Sequence, residues 1–250
     1  MTIDQGAGPA VLLLHGIGGR ASLWAPTIAA LSDRRRVIAM DMPGYDGTVP
    51  PLDSFEALAD AAVALLDARG ITSADVIGHS LGGMIALEIA LRHPARVRRL
   101  VIVASSPAFG SRDPAFRAEF IAARLKPLDA GLGMGGAAIG LMPALVGKTA
   151  DPEVEKAAIA AMSHVNEAAY RVTLEMLTGF DRRAELPRLR QRTLLIAGDA
   201  DKTAPPRGMA RMADAMGVAR MIVIPGAGHL VPLEAPEAFH AALLDFLAED

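Results

Sequence analysis

Six short apolar, β-rich runs punctuate the chain: AVLLLH (10–15), RVIAMD (36–41), ADVIGH (74–79), LVIVAS (100–105), TLLIAG (193–198) and MIVIPG (221–226). They are continuous rather than alternating. A strand with water on one face alternates apolar and polar side chains, whereas a strand of a parallel sheet covered on both faces is apolar throughout. Between the runs the spacing becomes helical. SFEALADAAVALLDARG opens on Ser54 as N-cap and stops at Gly70, MIALEIALRH stops before Pro94, and APEAFHAALLDFLAED closes the chain. Strand–helix alternation of this kind predicts right-handed βαβ units and a doubly wound, mostly parallel α/β sheet.

The rhythm breaks over residues 108–185, which are helical, rich in Ala, Gly and Met, and without a strand signal. An insertion of that size between two strands predicts a helical cap over the strand C-termini, with residues 1–107 and 186–250 forming the core. Residues 130–147 carry no charge, but their six glycines and Pro143 suit a lid segment better than a membrane span.

Composition narrows the function classes. The 250 residues are 52% hydrophobic, enough for one large core, and the net charge of −3 comes with no basic stripe for nucleic acid and no polybasic arm for a membrane surface. With no cysteine, disulfides, thiolate metal sites and a cysteine nucleophile are excluded. The start, MTIDQGAGP, lacks the basic and apolar regions of a secretory signal, so a cytoplasmic protein is expected.

The chemistry concentrates at GHSLGG (78–83), between a predicted strand and a predicted helix. A sharp strand-to-helix turn strains its central residue and needs small neighbours, and it lifts that residue's side chain to a helix N-terminus. Gly78-x-Ser80-x-Gly82 in this context is a nucleophile elbow. A serine hydroxyl needs a base, and the base an orienting acid, expected on later strand-end loops in the order acid, then histidine. Of six histidines, His229 in GAGHLVPLEAPEAF lies on such a loop. The others are expected in bland roles: His93 and His240 on solvated helix surfaces, His164 in the cap, His79 packed beneath the elbow and His15 holding its own loop. The preceding loop, GDADKTAPP, offers Asp199 and Asp201 for the acid, which local chemistry barely separates. The backbone N–H groups of Leu81 and of Ile17, in HGIGG (15–19), are the candidate oxyanion donors.

The motifs HGIGG, DMPGY, GHSLGG, GDADKTAPP and GAGHLVPLEAPEAF, in this order, resemble the α/β-hydrolase superfamily over essentially the whole chain. The resemblance implies Asp201, the last residue of a G-x-x-D pattern, as the acid, and no cofactor or metal. It also implies two N-terminal antiparallel strands. With VLLLHG arriving by residue 11, one or both are expected to be missing, for a sheet of six or seven strands. The junction GFDRRAELPRLRQRTLLIAGDADKTAPP is similar to that of small bacterial carboxylesterases and 3-oxoadipate enol-lactonases, which implies a small ester or lactone as substrate. Rivals are C–C bond hydrolases of meta-cleavage products, disfavoured by His79 before the nucleophile, cofactor-free haloperoxidases, and a non-catalytic small-molecule receptor on the same fold. A serine at the elbow disfavours the relatives that carry aspartate there.

Three further patterns lead elsewhere. Gly131-x-Gly133-x-x-Gly136 follows no strand, so no dinucleotide site is expected. The cap methionines Met134, Met142, Met162 and Met176 suggest an adaptable apolar lining. Arg124, Lys126 or Arg171 could meet a carboxylate, but each is expected at the solvated surface.

Overall fold

The computed structural model describes residues 1–110, 113–148 and 150–249. Seven strands form one sheet: β1 (Thr2–Gln5), β2 (Ala10–Leu14), β3 (Arg36–Met40), β4 (Ala74–His79), β5 (Val97–Val103), β6 (Arg192–Gly198) and β7 (Ala219–Ile224). Their order is β1-β3-β2-β4-β5-β6-β7. β2 to β7 run parallel, and β1 lies antiparallel on β3 with Thr2 opposite Met40.

The continuous apolar runs have the cause expected of them. Along each central strand, successive side chains enter opposite layers. Leu12, Leu14, Val76, Leu100 and Ile102 pack into one layer, and Val11, Leu13, Ile77, Val101 and Val103 into the other. The first layer is closed by α2 (Phe55–Asp67), α3 (Leu81–Arg92) and α8 (Pro206–Met216), and the second by α1 (Ala25–Leu31) and α10 (Pro236–Ala248). A one-turn helix, α9 (Val231–Glu234), leads into α10. Ser54 caps α2 as its sequence predicts, accepting from the Ala57 N–H at 3.2 Å.

Two strand features escaped the apolar pattern. Of the two antiparallel strands expected to be wholly or partly missing, one is present as β1, a polar, mostly exposed edge of four residues that no apolar run marks. β5 begins at Val97, upstream of its apolar run, because Arg98 and Arg99 belong to the strand. They pair with the fully buried Asp75 of β4, at 2.6 and 3.6 Å, together with Arg35 at 3.0 Å.

Between β5 and β6 lie α4 (Pro114–Asp129), α5 (Gly133–Leu145), α6 (Pro152–Ser163) and α7 (Glu167–Thr178). Asp113, Asp151 and Asn166 cap α4, α6 and α7 through their side chains. The two ends of the insertion meet at a β-bridge between Ala108 and Asp181. Residues 130–147 become the turn between α4 and α5, the whole of α5 and the two residues after it, and no helix among the described residues is long and apolar enough to cross a membrane.

Candidate active site

Ser80 follows β4 and precedes α3 with φ 53° and ψ −118°, a positive φ that a non-glycine residue holds only when its surroundings force it. Its N–H donates to Val103 O at 2.9 Å, and its carbonyl accepts from the Ser105 hydroxyl at 2.6 Å. The flanking glycines are required by contact. A Cβ on Gly78 would sit 2.1 Å from Gly82 O, and one on Gly82 would sit 2.2 Å from Leu14 O. Strand, turn and helix therefore approach more closely than any side chain allows.

Residues 149 positions apart in sequence meet here. The Ser80 hydroxyl lies 2.9 Å from His229 Nε2, and His229 Nδ1 lies 2.9 Å from Asp201 Oδ2. Both His229 and Asp201 are only 4% exposed. Burial opposes ionisation of Asp201, but hydrogen bonds from His229 and from the Ala204 and Thr203 N–H groups outweigh it and hold the carboxyl below its ordinary value. A carboxylate only accepts, so the imidazole proton sits on Nδ1 and leaves Nε2 free to accept from the serine hydroxyl. Such a chain can remove the hydroxyl proton as the oxygen attacks.

The structure separates the two aspartates that local chemistry left open. Asp199 turns away and caps the β7 loop, accepting from the Gly226 N–H at 2.7 Å. Ile17 lines the same cavity as Ser80, and Leu81 is the first residue of α3. The Ile17 loop presses against the elbow so closely that a Cβ on Gly16 would be 3.1 Å from Ser80 Cβ. His15 anchors that loop, donating from Nδ1 to Gly16 O at 2.8 Å and accepting at Nε2 from the Met42 N–H at 3.1 Å. Burial pushes its pKa down to about 4.

Three contacts lie beyond the sequence reading. His79 donates from Nε2 to the His229 carbonyl at 2.8 Å, so it supports the backbone at His229, and burial pushes its pKa down to about 3. Glu234 accepts from three N–H groups: Leu230 at 2.8 Å, Gly228 at 2.9 Å and Gly147 at 2.7 Å. The first two flank His229 and the third follows α5. The His229 N–H itself donates to Leu145 O, the last residue of α5, at 2.7 Å. Glu234 stands five residues after His229, a spacing whose meaning appears only once the loop is folded. The third contact overturns an expectation. Arg124 is no solvated surface residue: it lines the cavity, its guanidinium carbon 3.4 Å from the centre of the Phe120 ring. Lys126 is exposed, and Arg171 pairs with Glu167 and Asp129.

The remaining histidines have partners too. His93 meets Asp60 at 2.7 Å and His240 meets Thr27 at 3.1 Å, so neither is simply solvated. His164 is exposed and bonds to Ala160 O. The cavity above Ser80 measures about 320 Å³. Its walls are mostly apolar and include Trp24, Phe109, Phe116 and Phe120, with Met142 and Met162 the cap methionines that reach it.

The sequence model of the alpha/beta hydrolase fold matches residues 9–236. The RutD protein of Stutzerimonas stutzeri (strain A1501), named as a carbamate hydrolase, is 34% identical over 248 residues, spanning 96% of this chain and 92% of that one. Among solved structures, the enol-lactonase from Burkholderia xenovorans LB400 superposes with a TM-score of 0.89 at 27% identity, covering 100% of this chain and 96% of that one. A thermophilic esterase from Thermogutta terrifontis does so with 0.88 at 28% identity, covering 99% and 92%. The seven-stranded sheet, the strained turn after β4 and these matches along nearly the whole chain lead to one statement: the protein belongs to the α/β-hydrolase family.

Proposed function

We propose that the protein is a serine hydrolase that cleaves small carboxylic esters or lactones through an acyl-enzyme. Ser80 attacks the acyl carbon while His229 Nε2 takes its proton. The N–H groups of Leu81 and Ile17 hold the developing oxyanion, a role in which one donor typically contributes about 3–4 kcal/mol. The imidazolium returns the proton to the departing alcohol or enolate. Water, deprotonated by the same imidazole, then releases the carboxylic acid. Asp201 keeps Nδ1 protonated and stabilises the imidazolium. Residues 108–185 act as a cap that shapes an apolar acyl site over the core. No cofactor takes part.

The observation that carries this reading is the unbroken hydrogen-bonded chain Asp201–His229–Ser80 at the floor of an apolar cavity. The test is turnover of p-nitrophenyl acetate. Wild-type activity should fall at least about a thousandfold in Ser80→Ala, and a fluorophosphonate probe should label wild type but not that variant. Hydrolysis persisting at the wild-type rate in Ser80→Ala would refute the assignment. A carbamate belongs in the same substrate panel, since full-length relatives are named for carbamate hydrolysis and its carbonyl would meet the same groups.

A further inference from the structure

Several arginines of this protein are answered by carboxylates: Arg171 by Glu167 and Asp129, Arg182 by Glu88 and Glu56, Arg20 by Asp41. Arg124 is not. It projects from α4 into the wall of the cavity that holds Ser80 and His229, and among the described residues no protein group forms a hydrogen bond or ion pair with it. Its neighbours are aromatic. The guanidinium lies over Phe120, which in turn meets Phe109 edge-on at 4.8 Å, and Tyr170 lines the same wall. A ring face offers a cation some attraction but accepts none of the five N–H donors of a guanidinium.

Among the described residues the cavity contains no competing charge. Among the described residues no aspartate or glutamate lines it, and the two other histidines at its edge, His15 and His79, are held neutral by desolvation. Burial also draws the Arg124 pKa down, opposed by Tyr170, but an arginine does not neutralise at physiological pH. A fixed cation with unused, forked donors in an otherwise apolar acyl site calls for an anion delivered by the substrate. A planar carboxylate matches the fork in a bidentate pair. Among the described residues of the lining no lysine stands beside it to meet the second charge of a phosphate.

We propose that Arg124 is a specificity-determining residue, selecting acyl substrates that carry a carboxylate remote from the bond to be cleaved. This rests on the hydrolase reading above and narrows its substrate class to ω-carboxy esters or carboxylate-bearing lactones.

The experiment compares mono-p-nitrophenyl esters of the dicarboxylic acids from glutaric to suberic with their methyl-capped, neutral counterparts. For at least one chain length, wild-type kcat/KM should favour the acid by about 10- to 100-fold, the range of a charge-assisted hydrogen bond. That ratio should collapse toward one in Arg124→Met, chiefly through KM, and be partly retained in Arg124→Lys. Binding needs no turnover: calorimetry should show glutarate or adipate binding to Ser80→Ala, weakened by a similar factor when Arg124→Met is added. Ser80-dependent hydrolysis with no preference for any acid overturns the carboxylate assignment and leaves the hydrolase intact. Arg124-dependent binding of a dicarboxylate without hydrolysis of any ester overturns the hydrolase and leaves the carboxylate site. If Arg124→Met does not fold, the wild-type preference and the Arg124→Lys variant decide.

Discussion

At the residue scale, the site works by giving near-identical groups different surroundings. Asp199 and Asp201 sit two positions apart in one loop, yet one accepts from a turn N–H and the other from the imidazole of His229. The consequence is measurable. Asp201→Asn places an amide where only an acceptor serves, favours the wrong imidazole tautomer, and should lower kcat by about 10⁴-fold, as removal of a triad carboxylate does elsewhere. Asp199→Asn retains an acceptor for Gly226 and should stay within about tenfold of wild type. Equal losses in a steady-state ester assay would show that the roles are not divided this way. The strained φ of Ser80 is likewise a property of its neighbours. Gly78 and Gly82 leave no room for a Cβ, and Ser105 and Val103 bind the serine's carbonyl and amide.

At the scale of elements, the loop carrying His229 is fastened to the inserted helices rather than to the sheet alone. Glu234 binds N–H groups on both sides of His229 and one just beyond α5, and His229 N–H reaches Leu145 O. Removing the carboxylate leaves three donors short of a partner, each worth roughly 1–3 kcal/mol when buried. Glu234→Ala should therefore lower the thermal midpoint and reduce kcat at least about tenfold with Asp201 and Ser80 intact, while Glu234→Gln recovers part of both. A variant with a lowered midpoint but unchanged kcat would mean that the clamp stabilises the loop without positioning the base. The GHSLGG and GDADKTAPP segments announced their roles through glycine, serine and aspartate at fixed spacing. Glu234 did not, because its partners are backbone groups that any sequence supplies.

At the scale of the whole molecule, two imidazoles held neutral by burial make the fold sensitive to acid. His15 and His79 have folded values of about 4 and about 3, against an ordinary value near 6.5. The unfolded chain binds more protons than the folded one below that ordinary value, so stability is fully present above about pH 6.5 and is lost as pH falls toward 4. Each fully shifted group contributes a slope of up to about 1.4 kcal/mol per pH unit. Denaturant titrations at pH 7, 6 and 5 should show stability falling, and His15→Gln should flatten the fall. A stability that is flat across that interval would exclude the histidines as its source.

Fold class was legible from the chain alone, because a parallel sheet covered on both faces demands continuous apolar strands, and a tight strand-to-helix turn demands glycine on either side of its strained residue. Ser80 at the elbow and His229 on a later strand-end loop were legible for the same reason, each requirement being local, whereas Asp201 was distinguished from Asp199 only by the family resemblance. The edge strand β1, the charged start of β5, the inward course of Arg124 and the three-way grip of Glu234 were decided only in three dimensions. Polar side chains take their meaning from partners distant in sequence, and whether a guanidinium meets water, a carboxylate or an aromatic wall depends on how α4 lies over the sheet.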